Sequence, residues 1–334
     1  MRISVTERGQ FRRCKRLWSY ASFNHMAITP IAHNPALDTG TLVHAALADW
    51  TADINVDPQD ALISHSADMM QKIEDRYKLT VGMRMGEMEK RSLYDSIGMA
   101  HNMVGNYVAK WKTPLPAHFR LVEPEQEMVI AIPDMPDNWH CLTCNQRWFT
   151  DEDYEIPSCV TCMNGSANIE REKPELEGTL DGFVLDGKDQ LYVLERKTYK
   201  NRPRLDVLQM NDQFLAYVWI LTQLFPERRI GGLLYDGLWK RDNKPLDECF
   251  MRHLIDRPPY EVEAFGNNLR AEYIDMVNTH VFYPNRDWLG CVDCKGFNNL
   301  CTAESRGEDM QWLLQENFAP RDKKMEGIID DNLE

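Results

Sequence analysis

Residues 177 to 200, EGTLDGFVLDGKDQLYVLERKTYK, constrain the fold more than any other stretch. Two apolar runs flank Asp186-Gly187, a dipeptide that suits a tight hairpin turn, so the runs are expected to pair antiparallel. Alternate residues of a strand share a face, which puts Glu195 and Lys197 on one side, behind Leu191 and Val193, and Arg196 on the other. Folding one run back on the other brings Asp181 to the Glu195 end. Two carboxylates then converge beside an ammonium.

Such a pair of acids near an apolar sheet is costly unless a cation lies between them. A hard divalent ion, magnesium or manganese, would suit oxygen ligands, polarise a phosphate oxygen and acidify a bound water. Lys197 would orient or help deprotonate that water, or offset charge building on the phosphate. On spacing alone Glu195 and Lys197 read rather as a strand-end ion pair. Their surroundings add polar groups: Thr198, a basic stretch with Lys200, Arg202 and Arg204, and Gln213 and Tyr217 four residues apart on one helix face.

The rest of the chain supplies helices to cover a sheet. Residues 4 to 26 read as an amphipathic helix, and from Gly40 to about residue 112 apolar residues recur at three- and four-residue steps until Pro114-Leu115-Pro116. FRLVEPEQEMVIAIP is expected as a first strand, ending near Pro133, with Glu127 either a supporting acid or a solvated strand residue. After the hairpin come LDVLQMNDQFLAYVWILTQLF as one helix, RIGGLLYDGLWK as a strand and a further helix over 260 to 281. Strands interleaved with long helices predict an α/β fold with both sheet faces covered. Residues 311 to 334 are expected to form a charged C-terminal tail, with its end, RDKKMEGIIDDNLE, frayed.

A formal net charge of −14 over 334 residues disfavours general attraction to a polyanion, so nucleic acid would need a local basic stripe. Two are available, Arg8, Arg12, Arg13, Lys15 and Arg16, and Arg196 to Arg204; the alternative for each is a solvated face. No apolar run is long enough to span a bilayer, and the expectation is a cytoplasmic protein without a membrane partner.

Nine cysteines in such a compartment favour metal ligation over disulfides. Cys141-x2-Cys144-x14-Cys159-x2-Cys162 lies in a polar insertion at 134 to 174 and has the spacing of a zinc ribbon, each knuckle offering two thiolates to one tetrahedral ion. Its His140 and Trp148 suggest contact with DNA, against the plainer reading that zinc folds an insertion too small for its own core. Cys291-x2-Cys294-x6-Cys301 supplies three thiolates, and Cys14 is the obvious fourth donor. That set suits a 4Fe-4S iron-sulfur cluster or a structural zinc, in either case closing a long loop. Cys249 is expected to be a small buried apolar residue.

Taken in order, Gly40-Thr-Leu-Val-His44, Asp181, Glu195-x-Lys197-Thr198 and Gln213-x3-Tyr217 resemble the RecB-like branch of the PD-(D/E)XK nuclease superfamily. The resemblance spans Ser4 to Cys301 and implies a restriction-endonuclease-like mixed sheet flanked by helices over residues 1 to 310. It further implies that His44, Asp181, Glu195 and the Arg196 carbonyl bind Mg2+ or Mn2+, that Lys197 is catalytic, and that Gln213 and Tyr217 contact DNA or order the site. The early cysteine and late trio are similar to the iron-sulfur nucleases of that branch, the CRISPR-associated adaptation exonucleases and the AddB nuclease domain. Lys15 stands where those families often show proline. The activity implied is a metal-dependent exonuclease on single strands or duplex ends. The alternative is a DNA-end-binding subunit of a helicase-nuclease or recombination complex. A zinc-ribbon regulator without a nuclease core would leave the Glu-x-Lys strand and the cysteine trio unexplained.

Overall fold

A computed structural model describes the chain except residues 82–84, 151–157, 160, 164–167, 242–243, 288–290, 292–293, 295 and 322–334. The N-terminal segment forms β1 (Arg2–Ser4), α1 (Val5–Arg13), α2 (Lys15–Ala21) and β2 (Ile28–Pro30). The expected single helix over 4 to 26 is therefore broken. Ser4 caps α1 in a reciprocal box with Glu7, and Cys14, at φ −162°, ends α1 and starts α2.

Three long helices follow, α3 (Pro35–Ala52), α4 (Pro58–Val81) and α5 (Glu87–Trp111). Asn34 caps the first, its side chain accepting from Ala36 and Leu37, with Pro35 at the first helical position. Then come β3 (Phe119–Ala131), the insertion strands β4 (Asp137–Cys141), β5 (Arg147–Thr150) and β6 (Ile169–Glu172), and the hairpin β7 (Glu175–Asp186) and β8 (Leu191–Tyr199). The chain continues through α6 (Leu205–Gln209), α7 (Asp212–Leu224), β9 (Ile230–Trp239), α8 (Leu246–Cys249), β10 (Phe250–Asp256) and α9 (Pro259–Asn278) to α10 (Asn298–Arg306), α11 (Gln311–Asn317) and β11 (Phe318–Pro320).

The central sheet is mixed and six-stranded. β7 pairs antiparallel with β3 and β8, β8 runs parallel to β9, and β10 closes the far edge antiparallel to β9. Parallel β8 and β9 need a crossover, which α6 and α7 provide. One face packs Val193, Leu233 and Tyr235 against α1, α7 and α9. The other packs Leu194 and Leu234 against Phe119, and Leu238 and Phe250 against α3 and α5. This is the expected doubly covered α/β sheet.

Three details differ from the expectation. The apolar stretch after β8 is two helices, because Asn211 turns its side chain back to accept from the Phe214 amide and starts α7 afresh. β1 and β10 are additional strands. Part of the expected tail is ordered, since β11 pairs with β2 and Phe318 joins the small core of Leu17, Tyr20 and Leu300; residues 322–334 lie outside the described part.

Candidate functional site

The hairpin pairs Gly182 with Leu194 and Leu185 with Leu191, and goes no further: beyond Leu194, β8 pairs only with β9, while the same edge of β7 is taken at Glu175–Glu177 by β1. β7 and β8 therefore fork, and Asp181 and Glu195 are the first residues past the fork on the two arms. Gly182 makes the fork possible. Its φ of +147° lies where side-chain-bearing residues are strained, and a Cβ there would sit 2.8 Å from the Glu123 carbonyl oxygen, opposite the bulge in β3.

Asp181 stands in the mouth of the fork, 6% exposed. One carboxylate oxygen accepts from the Arg196 backbone amide and the other lies 3.0 Å from His44 Nδ1 on α3. Burial works to raise the Asp181 carboxyl, but the charge and hydrogen bond of His44 and the nearby Arg196 outweigh it and hold the group below the ordinary carboxylate range. An ionised carboxylate only accepts, so His44 Nδ1 donates, and in the neutral imidazole Nε2 then carries the lone pair. That Nε2 is buried and has no hydrogen-bond partner among the described residues.

Glu195 is 0% exposed and lies 3.0 Å from Lys197 Nζ, on the opposite side of β8 from Arg196. The Arg196 guanidinium turns to α3 and donates to Thr51 Oγ1 at 2.6 Å. Gln213 in the first turn of α7 donates to Tyr217 Oη at 2.8 Å, and Tyr217 is itself buried beside Gly178. Glu127 is exposed on β3, as a solvated strand residue.

His44 and Asp181 thus form one contact, Glu195 and Lys197 another, and the Arg196 amide joins them. The ligand atoms of His44, Asp181 and Glu195 do not all lie within 4.8 Å of one another. The donor set nonetheless fits a hard dication: two buried carboxylates on facing arms of the fork, and a buried imidazole nitrogen oriented by a carboxylate through its other nitrogen.

The two basic stripes have different fates. Arg8 is buried between Asp212 (3.2 Å) and Glu272 (2.6 Å), Arg12 reaches the same two acids, and Arg16 lies 3.4 Å from Glu304. These three residues clamp α1 and α2 to α7, α9 and α10 and do not form a basic face. Lys200, Arg202 and Arg204 are exposed.

In the insertion, Cys141 and Cys162 sulfurs lie 3.6 Å apart and Cys144 and Cys159 3.5 Å apart, and all four fall within 4.8 Å of one another. Amides of Cys144 and Thr143 pull the Cys141 thiol down to about 6, readying a thiolate ligand. Among the described residues, Trp139, Ile169 and partly buried Trp148 pack around them, and two of the four cysteines belong to that core. His140 is engaged with Glu172 and Asn145 and Trp148 with the core, so both serve the insertion's own structure.

Cys14, Cys294 and Cys301 pack against the small core of Leu17, Tyr20 and Leu300. Asn285 links Cys14 to Cys291: its amide donates to Cys14 Sγ (3.3 Å) and its carbonyl oxygen lies 3.6 Å from Cys291 Sγ. Burial, with the neighbouring thiols of Cys14, Cys301 and Cys291 adding to it against Arg13, raises the Cys294 thiol to about 11. The four cysteines are thus neighbours, but they are not drawn within 4.8 Å of one another as the insertion's four are. Cys249 is buried, its thiol near the Arg241 and Lys244 carbonyls.

The model of the PD-(D/E)XK nuclease superfamily matches residues 2–302, and the chain belongs to that superfamily. No curated protein matches the chain. The resemblance had suggested His44, Asp181, Glu195, Arg196 and Lys197; it did not point to Thr51, which holds the Arg196 guanidinium, and the Gly182 bend that opens the fork carried no signal beyond an Asp-Gly pair inside a strand.

Proposed function

We propose that the protein is a metal-dependent DNA exonuclease acting on single strands or duplex ends, with its hydrolytic site in the fork between β7 and β8. The observation that carries this reading is the fork itself, which sets Asp181 and Glu195 as the first residues on its two arms, with Asp181 against His44 of α3. His44 Nε2, Asp181, Glu195 and the Arg196 carbonyl would hold Mg2+ or Mn2+. Bound there, the ion supplies a Lewis acid for a phosphate oxygen and lowers the pKa of a water.

The chain's own groups supply the rest. Lys197 Nζ, paired with Glu195, stands ready to exchange that contact for a phosphate oxygen and offset its developing charge. Tyr217 is buried, which favours the ordering role over direct DNA contact: its hydroxyl accepts from Gln213 and fixes that amide at the start of α7. Arg196, held by Thr51, keeps its amide on Asp181 and so keeps the fork from closing.

The test is digestion of end-labelled DNA with Mg2+ or Mn2+. Lys197→Ala should abolish it without unfolding the protein; a variant as active as the parent rejects the assignment. The spread of the three metal ligands beyond 4.8 Å favours a second reading, a DNA-end-binding subunit of a helicase-nuclease or recombination complex. That reading requires end-binding that survives Glu195→Ala and no turnover in any divalent metal.

For the cysteines, a single tetrahedral ion at about 2.3 Å from each sulfur draws the sulfurs under 4 Å apart, as in the insertion. A multi-iron cubane needs them wider. The insertion therefore suits Zn2+, and Cys14, Cys291, Cys294 and Cys301 suit a 4Fe-4S cluster stapling the ends of the nuclease domain. Anaerobic purification should give a brown protein with iron, sulfide and one zinc per chain.

A further inference from the structure

Between the Glu-x-Lys strand and α7 the chain builds a projecting element that the hydrolytic site does not use. From Lys200 to Met210 only Leu208 is buried. The apolar side chains on its outer surface are Leu205 (48% exposed), Val207 (51%) and Met210 (76%), and Lys200, Arg202 and Arg204 precede them. Asp206 is the one acid between Arg196 and Asn211, and it pairs with Arg204. In a chain of net charge −14 this is a locally cationic, apolar-tipped segment.

The element is pinned at both ends. At its base Trp239 Nε1 donates to the Lys200 carbonyl at 2.6 Å, and Arg241 stacks on the Trp239 ring at 4.9 Å, adding an exposed cation. At its far end the buried Arg257 guanidinium donates to the carbonyls of Leu208, Gln209 and Asn211 and so ties the end of the segment down. Leu208 anchors the short helix in the core. Exposed apolar side chains on a segment held this firmly do not serve the fold: turning them outward exposes apolar surface with no folding gain.

Resting on the nuclease reading, we propose that α6 is a strand-opening wedge for duplex DNA ends. Lys200, Arg202, Arg204 and Arg241 seat the backbone phosphates, and Leu205, Val207 and Met210 stack into the terminal base step, unpairing the strand that enters the fork. The chemistry fits: apolar wedges that unstack base steps are drawn from residues such as leucine and methionine, and flanking cations supply the sequence-independent affinity. Rigidity is what lets contact energy be spent on unstacking and not on ordering the loop.

The test compares Leu205→Ser/Val207→Ser/Met210→Gln with the parent on three substrates of one sequence: blunt duplex, the same duplex with two mismatched terminal pairs, and the single strand. Opening one stacked step costs about 1.4 kcal/mol, so the ratio of blunt-duplex to single-strand rate should fall about tenfold in the variant. The mismatched end should restore it. A ratio equal to the parent's, or one that mismatches do not restore, overturns the proposal. If the parent cleaves nothing, the nuclease reading fails and the wedge is still tested. With Ca2+ present, 2-aminopurine at the terminal pair should brighten when the parent binds a blunt duplex and stay dim with the variant. Equal brightening by both, or none with the parent, overturns it. A gel-filtration shift of the parent to a dimer that the variant loses would assign the patch to a second copy of the chain and likewise overturn the wedge.

Discussion

Replacing Gly182 by alanine tests whether the fork is built into the backbone. At φ +147° an alanine carries a strain of about 1–3 kcal/mol. Its Cβ would also meet the Glu123 carbonyl oxygen at 2.8 Å, and that obstacle is backbone, which cannot swing aside like the tip of a side chain. Relieving such overpacking costs about another 1–3 kcal/mol, so the loss should total about 2–6 kcal/mol. With a urea slope of about 3 kcal/mol per molar, the midpoint should fall by roughly 0.7–2 M. Gly187→Ala in the hairpin turn is the control, since its Cβ would meet nothing within 4 Å and it should unfold with the parent. Nuclease activity of Gly182→Ala, measured well below its midpoint, should fall further than the unfolded fraction accounts for, because Asp181 shifts relative to Glu195. A Gly182→Ala protein that unfolds and cleaves like the parent would refute the argument.

Other outcomes follow from the same geometry. Tyr107→Phe removes a buried hydroxyl that bonds Asp236 and accepts from Arg252 at 2.6 Å, so urea unfolding should show a loss of about 1–3 kcal/mol. Glu172 is disfavoured as a carboxylate by burial, but bonds from His140 and Arg147 hold its carboxyl well below the usual range. Its contribution is therefore complete above about pH 4.5 and is lost as pH falls through the depressed folded value, so melting between pH 6 and pH 3 should be less steep in pH for Glu172→Gln than for the parent. Cys159→Ser should lose the insertion's metal by elemental analysis and open 134 to 174 to protease, while the iron content stays that of the parent.

Much of this site was legible because its chemistry is local in sequence. Asp186-Gly187 announced the hairpin, strand alternation separated Arg196 from Glu195 and Lys197, and the Cys-x2-Cys pairs announced their knuckle spacing. What remained hidden depends on partners distant in the chain. β1 borrows the edge of β7 that β8 abandons, which no window of residues around Met1 reports. The first basic stripe read as a surface because its acids, Asp212 and Glu272, lie some 200 residues away or more. The break at Met210 and Asn211 was masked by an apolar run whose exposed members, Leu205 and Val207, have the composition of a core and the position of a surface.

The central claim is that the fork binds a hard dication through His44, Asp181 and Glu195. Calorimetric titration with Mn2+ tests it most directly, on protein whose cysteine sites are already filled. The parent should show a saturable Mn2+ site, with heat that disappears in Glu195→Gln and is sharply weakened in His44→Ala. Unchanged Mn2+ binding in both variants would contradict it.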